Sequence, residues 1–372
     1  MVIGAALVDV AQGTQLWGEQ YTSRMRDIFA VQEDIAGDIS RGLRLKLAPR
    51  DETLLTKRHT VNPEAYRLFL LSRHERSSIK ALEYARQATE RDPVYAPAYV
   101  ALADSYNALG GAGQLPYREA YSRAKEAATR ALAIDETLPE AHTALATAVK
   151  WLDWDWAGAE REFRRAMELD PNSADAHQGY GNYQTNFGSS REAIAELKRA
   201  VELDPLSPRR HVGLFFAYYF ARQYDPALEP VRKAMELEPN FDPHFLLGWI
   251  YREQGMYEKA IDEFKKALEK GGNRIHTLGH LGNAYARAGR VREARECIRE
   301  LKKGIPNGAV GVFEIALVYA GLGEKDLAFE WLDRAYNERD KGFISLKVDP
   351  PLDPLRSDPR FQDLLRRMNF PS

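Results

Sequence analysis

Four histidines recur at equivalent places along this 372-residue chain: His142, His177, His211 and His244. Imidazole is the commonest protein ligand for metals, so a ladder of histidines raises the question of a zinc site. Two ligands of one zinc each lie about 2 Å from the ion. Equivalent residues on neighbouring packed helices are about 8–10 Å apart. We therefore predict that these histidines pack inside the protein and bind no metal.

Other residues with reactive or metal-binding side chains lack the partners that a functional site needs. His276 and His280 stand four apart on a predicted helix, but two ligands without a third make a weak metal site. Cys297 is the only cysteine, which excludes an intramolecular disulfide, and we predict an inert, inward-facing thiol. The sequence contains no Walker-type phosphate loop, GxSxG elbow or HExxH pair. We therefore predict a protein that is not an enzyme, with no metal and no cofactor.

The composition also excludes several classes of partner. Charged residues make up 28 % of the chain and the formal net charge is −2. A nucleic acid or an acidic membrane surface would favour a basic field, so neither is expected to bind this chain by itself. No apolar run approaches the roughly 20 residues that span a bilayer, and the first residues do not resemble a signal peptide. The default expectation is a cytoplasmic protein.

The dominant pattern is a repeat of about 34 residues. Ala159, Phe163 and Pro171 return 34 positions later as Ala193, Leu197 and Pro205. The small residue of each repeat is found at Ala81, Ala124, Ala159, Ala193, Ala227, Ala260, Ala294 and Ala328. A period of this length indicates stacked pairs of short helices, because alanine allows two helices to cross closely. We predict an all-α solenoid of about eight helix pairs over residues 62–341.

Turn residues divide most repeats into two helices. Glycines at 188, 255, 289 and 323 are predicted to separate the first helix from the second, whereas the fifth repeat has Arg222 instead. The second repeat carries an insertion, GGAGQLPYRE, which we expect to project. The third has WLDWDW at its turn, interpreted as hydrophobic packing.

The two ends of the chain differ from the repeats. Residues 2–10 and 16–22 are predicted to form strands around a turn, and a helix is expected from about residue 27 to residue 43. Residues 51–61 are predicted to be a linker between this 1–50 region and the repeats. Residues 342–372 form a tail in which Asp358 and Pro359 start a helix. Phe361, Leu364 and Met368 share one face of that helix, so we predict that it caps the last repeat.

These patterns resemble the tetratricopeptide repeat at nearly every signature position, which implies a right-handed solenoid. Residues 1–50, with Leu7, Trp17 and the Asp27-Ile28-Phe29 triplet, resemble the end of a TolB-like domain. The Trp-Asp-Trp turn and the C-terminal tail resemble those of multidomain bacterial regulators that carry winged-helix, cyclase or kinase modules. No such module is present here. In membrane-anchored relatives such an array could lie on the far side of the membrane, which is the alternative to a cytoplasmic location.

The resemblance implies binding of a protein or peptide in the groove lined by the first helix of each repeat. The predicted groove residues are Lys150, Trp151, Asn182, Asn186, Arg209, Phe216, Tyr219, Phe220, Trp249, Arg252, Asn283 and Arg287. Aromatic residues mixed with arginine are enriched at interface hot spots. The alternative is that Phe216, Tyr219 and Phe220 simply fill the space between helices. A lysine–asparagine grip on a C-terminal carboxylate is not predicted, because Gln178 occupies the position where the lysine is needed.

The sequence thus predicts a non-enzymatic scaffold that binds an extended segment, as the sensory or interaction arm of a bacterial regulator. The alternative is a self-association module. In that case the exposed edge of the predicted hairpin at residues 2–22 would pair with a second copy of the chain.

Overall fold

The computed structural model describes residues 2–9, 14–22, 60–75, 77–271, 273–304 and 311–370. The chain divides into two compact units, Met1–Ala144 and Leu145–Ser372, which are described separately. The division falls inside one helix of the predicted solenoid. The helix predicted at residues 27–43 and most of the predicted linker lie outside the described residues.

The N-terminal unit begins with two paired strands. β1 (Val2–Asp9) is antiparallel to β2 (Thr14–Thr22), with an irregularity between Leu7 and Val8. The helices that follow are α1 (Pro63–His74), α2 (Ser78–Arg91), α3 (Ala96–Gly111) and α4 (Tyr117–Ile134), and then α5 (Pro139–Leu152), within which the unit ends. Asn62 caps α1 by accepting from the backbone N–H groups of Glu64 and Ala65, and a proline occupies the first turn.

The C-terminal unit continues the same pattern of helix pairs. Its helices are α6 (Trp156–Leu169), α7 (Ala174–Phe187), α8 (Ser190–Leu203), α9 (Pro208–Phe220), α10 (Tyr224–Leu237), α11 (His244–Glu253), α12 (Tyr257–Glu269), α13 (Arg274–Arg287), α14 (Val291–Gly304), α15 (Val312–Leu322) and α16 (Lys325–Glu338). Two 3-10 segments, η1 (Lys341–Ser345) and η2 (Pro350–Leu355), lead to α17 (Pro359–Arg367). The predicted all-α solenoid is confirmed, with α1/α2 as repeat 1 and α15/α16 as repeat 8.

Alanines at the helix crossings explain how the pairs pack. Ala159, Ala193, Ala227, Ala260 and Ala294 begin the second helices of successive repeats, and all are fully buried. The first helices also touch one another, since α7 contacts α9 and α13 contacts both α11 and α15. In repeat 4 the second helix α8 packs between the first helices α7 and α9, and α12 packs in the same way between α11 and α13. Short helices that are unstable alone are stabilised by this two-sided burial.

The last helix covers the end of the array, as the sequence predicts. α17 packs on α16, with Arg360 bonded to Asp326 at 2.8 Å and Arg367 bonded to Asp333 at 2.5 Å. Its apolar face, which includes Phe361, is buried. This closes the exposed side of repeat 8, which a solenoid requires at its ends.

Within the described ranges, no helix has both the length and the apolar character that crossing a membrane requires.

Candidate functional site

The segment after α16 packs across the turns of earlier repeats, in addition to capping repeat 8. We call the described part of the predicted C-terminal tail, residues 342–370, the tail. The tail reaches the turn of repeat 3, where the Trp154 and Phe343 rings stack with centroids 6.3 Å apart. The Trp156 indole Nε1–H donates to the carbonyl of Met368 at 2.7 Å. The C-terminal unit is therefore held together by contacts between its first and last parts.

The turns of repeats 4 and 5 also hold the tail. Lys347 Nζ donates to the carbonyl of Phe187 at 3.1 Å. Arg222 donates to the carbonyl of Val348 and to the Asp353 carboxylate, both at 2.7 Å. Two of these three bonds use tail side chains, Lys347 and Asp353, and the third uses the backbone carbonyl of Val348, so docking depends on both the sequence and the path of the tail.

Two of these tail-holding residues replace a turn glycine. Trp154 lies 68 positions before Arg222, and Arg222 lies 33 positions before Gly255, each at the end of a first helix. Their φ angles are 58° and 63°, in the left-handed region where Gly255 also lies. For a residue with a Cβ, this conformation costs about 1–2 kcal/mol. Both residues contact the tail or the end of repeat 8, so the strain coincides with the site where the tail docks.

The predicted groove residues separate into two sets. Lys150, Tyr219, Trp249, Arg252 and Asn283 are no more than 8 % exposed, so they lie within the packing of the C-terminal unit rather than on an open groove. Trp151, Asn182, Asn186, Phe216, Phe220 and Arg287 are half-buried, and Arg209 is exposed. The alternative that aromatic residues fill inter-helix space describes Tyr219, which is fully buried. Neighbouring repeats cover the buried set, since Asn283 donates to the carbonyl of Leu317 on α15 at 2.7 Å and the Tyr219 ring packs 4.7 Å from that of Trp249 on α11.

Arg252 is the centre of a buried polar network. Its guanidinium donates to Glu253 at 2.7 Å, to the Tyr219 hydroxyl at 2.9 Å and to His280 Nδ1 at 2.7 Å. Burial, together with the nearby Arg252 charge, holds the pKa of His280 well below its usual value. Glu253 also accepts from Arg287 at 2.7 Å. Each charge in this network is paired, which is the condition for burying charges stably.

Lys150 differs from the other buried charges. Its ammonium lies 4.9 Å from the centroid of the Trp151 ring, and no described residue accepts a hydrogen bond from it. Desolvation lowers its pKa to about 8. It occupies the repeat position that holds Tyr251, Tyr285 and Tyr319 in later repeats, so its carbon stem takes the place of a packed ring.

The exposed part of the predicted groove is a trough between α7 and α9. We define the trough by one row on each helix. The row on α9 is Arg209, Val212, Phe216 and Phe220, whose spacing of 3, 4 and 4 places them on one face. The facing row on α7 contains Asn182 and Asn186. α7 and α9 are in contact, and a Cβ on Gly213 of α9 would lie 3.6 Å from the Asn182 side-chain oxygen.

The trough has an aromatic end and a charged end. Phe216 and Phe220 stack with centroids 6.3 Å apart, and Phe216 also lies 5.7 Å from the Trp249 ring below it. Phe220 ends α9 beside the turn where Arg222 holds the tail. Arg209 lies at the other end, and its guanidinium has no hydrogen bond or ion pair to any described residue.

The histidines are engaged in internal contacts. His177 bonds through Nδ1 to Glu196 at 2.5 Å and through Nε2 to the carbonyl of Pro171 at 3.0 Å. His211 makes the equivalent contact with the carbonyl of Pro205. Across the described part of the chain, no three His, Cys, Asp or Glu side chains are grouped so as to hold a metal. Cys297 is buried, and burial raises the pKa of its thiol to about 12, which makes it unreactive.

Comparisons with known families identify the repeats. One family model described as "Tetratricopeptide repeat" matches residues 155–208 and 281–342, and a second model of the same description matches residues 241–273. The matches begin at the Trp-Asp-Trp turn and end in η1, just after the last helix pair.

Curated relatives share the repeats but extend well beyond them. The chain is 34% identical over 161 residues to "Putative adenylate cyclase 3" of Rhizobium meliloti (strain 1021), which is 40% of this chain and 27% of the relative. It is 29% identical over 127 residues to a "TPR repeat-containing protein" of Methanocaldococcus jannaschii, which is 34% of this chain and 22% of the relative. The matches thus span about a quarter of each relative's length.

A solved structure shows the same fold. The crystal structure of the APC/C heterotetramer Cut9–Hcn1 matches with a TM-score of 0.53 and 20% identity, over 82% of this chain and 54% of that one. At this identity the likeness concerns the fold alone.

Proposed function

The chain is built from tetratricopeptide repeats, and we propose that it is a scaffold that binds an extended protein segment in the trough between α7 and α9. Tetratricopeptide repeats form a protein-interaction fold that is generally non-catalytic. The observation that carries the proposal is the row of half-exposed aromatic side chains on α9, ending in an unpaired arginine. Aromatic and arginine side chains supply most of the binding energy at protein interfaces.

The length of the trough limits the length of the bound segment. Arg209 and Phe220 are 11 residues apart on one helix, which is about 16 Å at 1.5 Å per residue. An extended chain covers about 3.3 Å per residue, so about five residues lie between the two ends. Asn182 and Asn186 can exchange hydrogen bonds with the backbone of such a segment, because amides both donate and accept.

The tail supports this surface and is not expected to be displaced from it. Its fully buried apolar side chains are Phe343, Leu346, Leu352, Leu355, Phe361, Leu364 and Met368, each at most 2 % exposed. At about 1.5–3 kcal/mol for each, their burial contributes on the order of 10–20 kcal/mol, as an upper bound. A micromolar peptide binds with about 8 kcal/mol. A partner would therefore bind beside the tail.

The test is selection of binding peptides from a random library on the immobilised full chain. We expect a family of peptides that bind the natural protein and bind Phe216→Ala at least tenfold more weakly, because the central aromatic wall is removed. Met235→Ala, at an exposed apolar residue on the second helix α10, is the matched control and should leave binding unchanged. Peptides that bind the Phe216 variant equally well would refute the trough. Circular dichroism establishes that the variants keep their helices.

The paired strands support a second candidate function, self-association. β1 and β2 form a two-stranded sheet, and each has one edge without a partner among the described residues. Unpaired edges can recruit a strand from another chain. Light scattering after size-exclusion chromatography should show a dimer that becomes a monomer when residues 1–50 are deleted. An unchanged number of chains per particle after the deletion would exclude assembly through these strands.

We also propose that this scaffold works as the interaction arm of a multidomain bacterial regulator. The support is the similarity to a relative named as an adenylate cyclase, together with the match being confined to 27% of that relative. A cytoplasmic location fits that role, with the far side of a membrane as the alternative. Fractionating the source cells and detecting the chain with an antibody would decide between the compartments.

A further inference from the structure

Three titratable side chains meet where repeats 7 and 8 join the beginning of the tail. His276 belongs to α13, Glu314 belongs to α15, and Asp340 lies between α16 and η1. We call these three residues the junction cluster. His276 Nδ1 lies 2.7 Å from Glu314 Oε1, and 27% of the His276 side chain is exposed. Glu314 and Asp340 are at most 5% exposed, so the junction cluster brings two carboxyl groups and one imidazole together with little access to water.

Asp340 caps α15 from outside that helix. The residue at the cap position, Gly311, has no side chain that could accept from the first amides of the helix. Asp340 Oδ2 accepts instead from the backbone N–H groups of Val312 and Phe313, at 3.2 and 3.3 Å. Its Oδ1 accepts from the N–H of Gly342 at 2.9 Å. One carboxyl group therefore fixes both the beginning of α15 and the beginning of the tail.

Glu314 is only partly satisfied in the junction cluster. Its Oε2 is buried and has no hydrogen-bond partner among the described residues. The opposite helix makes room for this side chain, because a Cβ on Gly279 of α13 would lie 2.5 Å from Glu314 Cβ. A buried carboxylate that has few partners is destabilising when it is ionised. A second negative charge beside Glu314 is therefore strongly unfavourable.

The charge on the junction cluster depends on pH. Burial and the Glu314 carboxylate raise the pKa of Asp340 to about 7, and they outweigh the amides that favour its ionised form. Burial opposes a charge on His276 and on Glu314, but each raises or lowers the pKa of the other so that the ion pair is favoured. Lys341 adds a nearby positive charge, whereas His280 on α13 is neutral. The junction cluster thus gains negative charge as the pH rises through about 7.

We propose that the junction cluster is a pH-sensitive clasp, which holds the beginning of the tail on repeat 8 in mildly acidic solution and loosens it in alkaline solution. When the two separate, the Asp340 carboxyl returns to water and to its usual pKa of 3.8. A group whose pKa is raised in the closed state stabilises that state fully at low pH, and the stabilisation is lost as the pH rises through the raised value. The raised pKa of His276 acts in the same direction. The lowered pKa of Glu314 matters only below about pH 4.5.

Opening of the clasp would expose the apolar contacts with which the docking of the tail begins. Phe343 packs edge-on against Phe313, with centroids 6.2 Å apart, and stacks on Trp154 of repeat 3. Gly342 lies so close to Phe313 that a Cβ on it would be 2.6 Å from the ring. The clasp therefore controls the contact through which the tail first reaches an earlier repeat. This inference goes beyond the proposed function, because it does not depend on what the trough binds.

Hydrogen exchange of the full chain, followed by mass spectrometry, tests the clasp. Fragments that contain residues 312–316 and 341–346 report the amides that Asp340 holds. With the chemical exchange rate divided out, their protection should fall by about tenfold between pH 6 and 8, because one proton with a closed-state pKa of about 7 gives that factor. Fragments from α9 should change much less, since the opening is local. Unchanged protection in the two reporter fragments would refute the clasp.

Two aspartates that cap helices provide a matched pair of variants. Asp340→Asn keeps one oxygen for the amides but cannot ionise, so the fall in protection should disappear. Asp358 caps α17 by accepting from the N–H of Arg360, whose guanidinium holds the pKa of that carboxyl at about 2. Asp358→Asn should therefore leave the tenfold fall in place. A fall that persists undiminished in Asp340→Asn would contradict the proposal.

Glu314→Gln provides an independent test that does not require Asp340→Asn to fold. It removes the negative charge that helps to keep Asp340 protonated, so the midpoint of the fall in protection should move to lower pH. A midpoint that stays in place would show that the two carboxyl groups do not act together, and the clasp would be refuted.

Discussion

Replacing Arg222 by glycine should give a more stable protein than replacing it by alanine, although both variants lose the same contacts. The arginine side chain is 34% exposed and its partner Asp353 is 48% exposed, so their ion pair contributes about 0.2–1 kcal/mol. The bond to the Val348 carbonyl contributes about 1–1.5 kcal/mol. Arg222→Ala should therefore lower the free energy of unfolding by about 1.2–2.5 kcal/mol.

Glycine regains part of that loss because the φ of 63° strains every residue that has a Cβ. The relief is about 1–2 kcal/mol, offset in part by the greater freedom of glycine in the unfolded chain. We expect Arg222→Gly to be about 1 kcal/mol more stable than Arg222→Ala in urea unfolding followed by tryptophan fluorescence. Gly255→Ala is the reciprocal control, since Gly255 has a φ of 76° and nothing within 4 Å of an added Cβ. It should lose about 1 kcal/mol from strain alone. Equal stability of the two Arg222 variants would refute the reasoning.

Three further variants test the interior of the C-terminal unit. Arg252→Met should lower the free energy of unfolding by about 3–5 kcal/mol, because it leaves buried polar partners unpaired. Urea titration measures this loss. A loss below about 1 kcal/mol would contradict the network. Burial raises the pKa of Asp349 to about 7, so its carboxyl is protonated when folded and ionised when unfolded between about pH 4 and 7. Its contribution to stability falls as the pH rises through that window. Urea midpoints should show that Asp349→Asn removes this part of the pH dependence, and an unchanged slope would refute it. In thermal melts, Gly248→Ala should cost about 1–3 kcal/mol because its Cβ would lie 2.6 Å from the Phe264 ring, whereas Gly304→Ala, with open space, should be close to neutral.

The helix pairs could be predicted because their determinants are local and repeat. From Ala124 to Ala328 a buried alanine such as Ala193 recurs every 33 to 35 residues and allows two helices to pack closely. The capping role of α17 was also predictable, since Phe361 and Leu364 form an apolar face after a clear helix start. In both cases the residues that allow the prediction lie within one turn or one repeat of the residues that they contact.

The covered half of the predicted groove could not be predicted from the repeat pattern. Tyr219 and Arg252 occupy positions that line a surface in a bare array, and here they are buried in contact with each other and with His280 of the next repeat. The sequence did contain one signal. Trp154 and Arg222 stand where Gly255, Gly289 and Gly323 have a positive φ, and such a replacement persists where other contacts over-determine the backbone. Both contact the distant segment.

The bond between Trp156 and Met368 joins residues 212 positions apart. A ribosome adds about 5–20 residues per second, so the acceptor is made roughly 10–40 s after its donor. Simple repeat arrays can fold progressively from the end that is made first. Here the aromatic edge of the third and fourth helix pairs stays open to water, and to chaperones, until the tail has been synthesised.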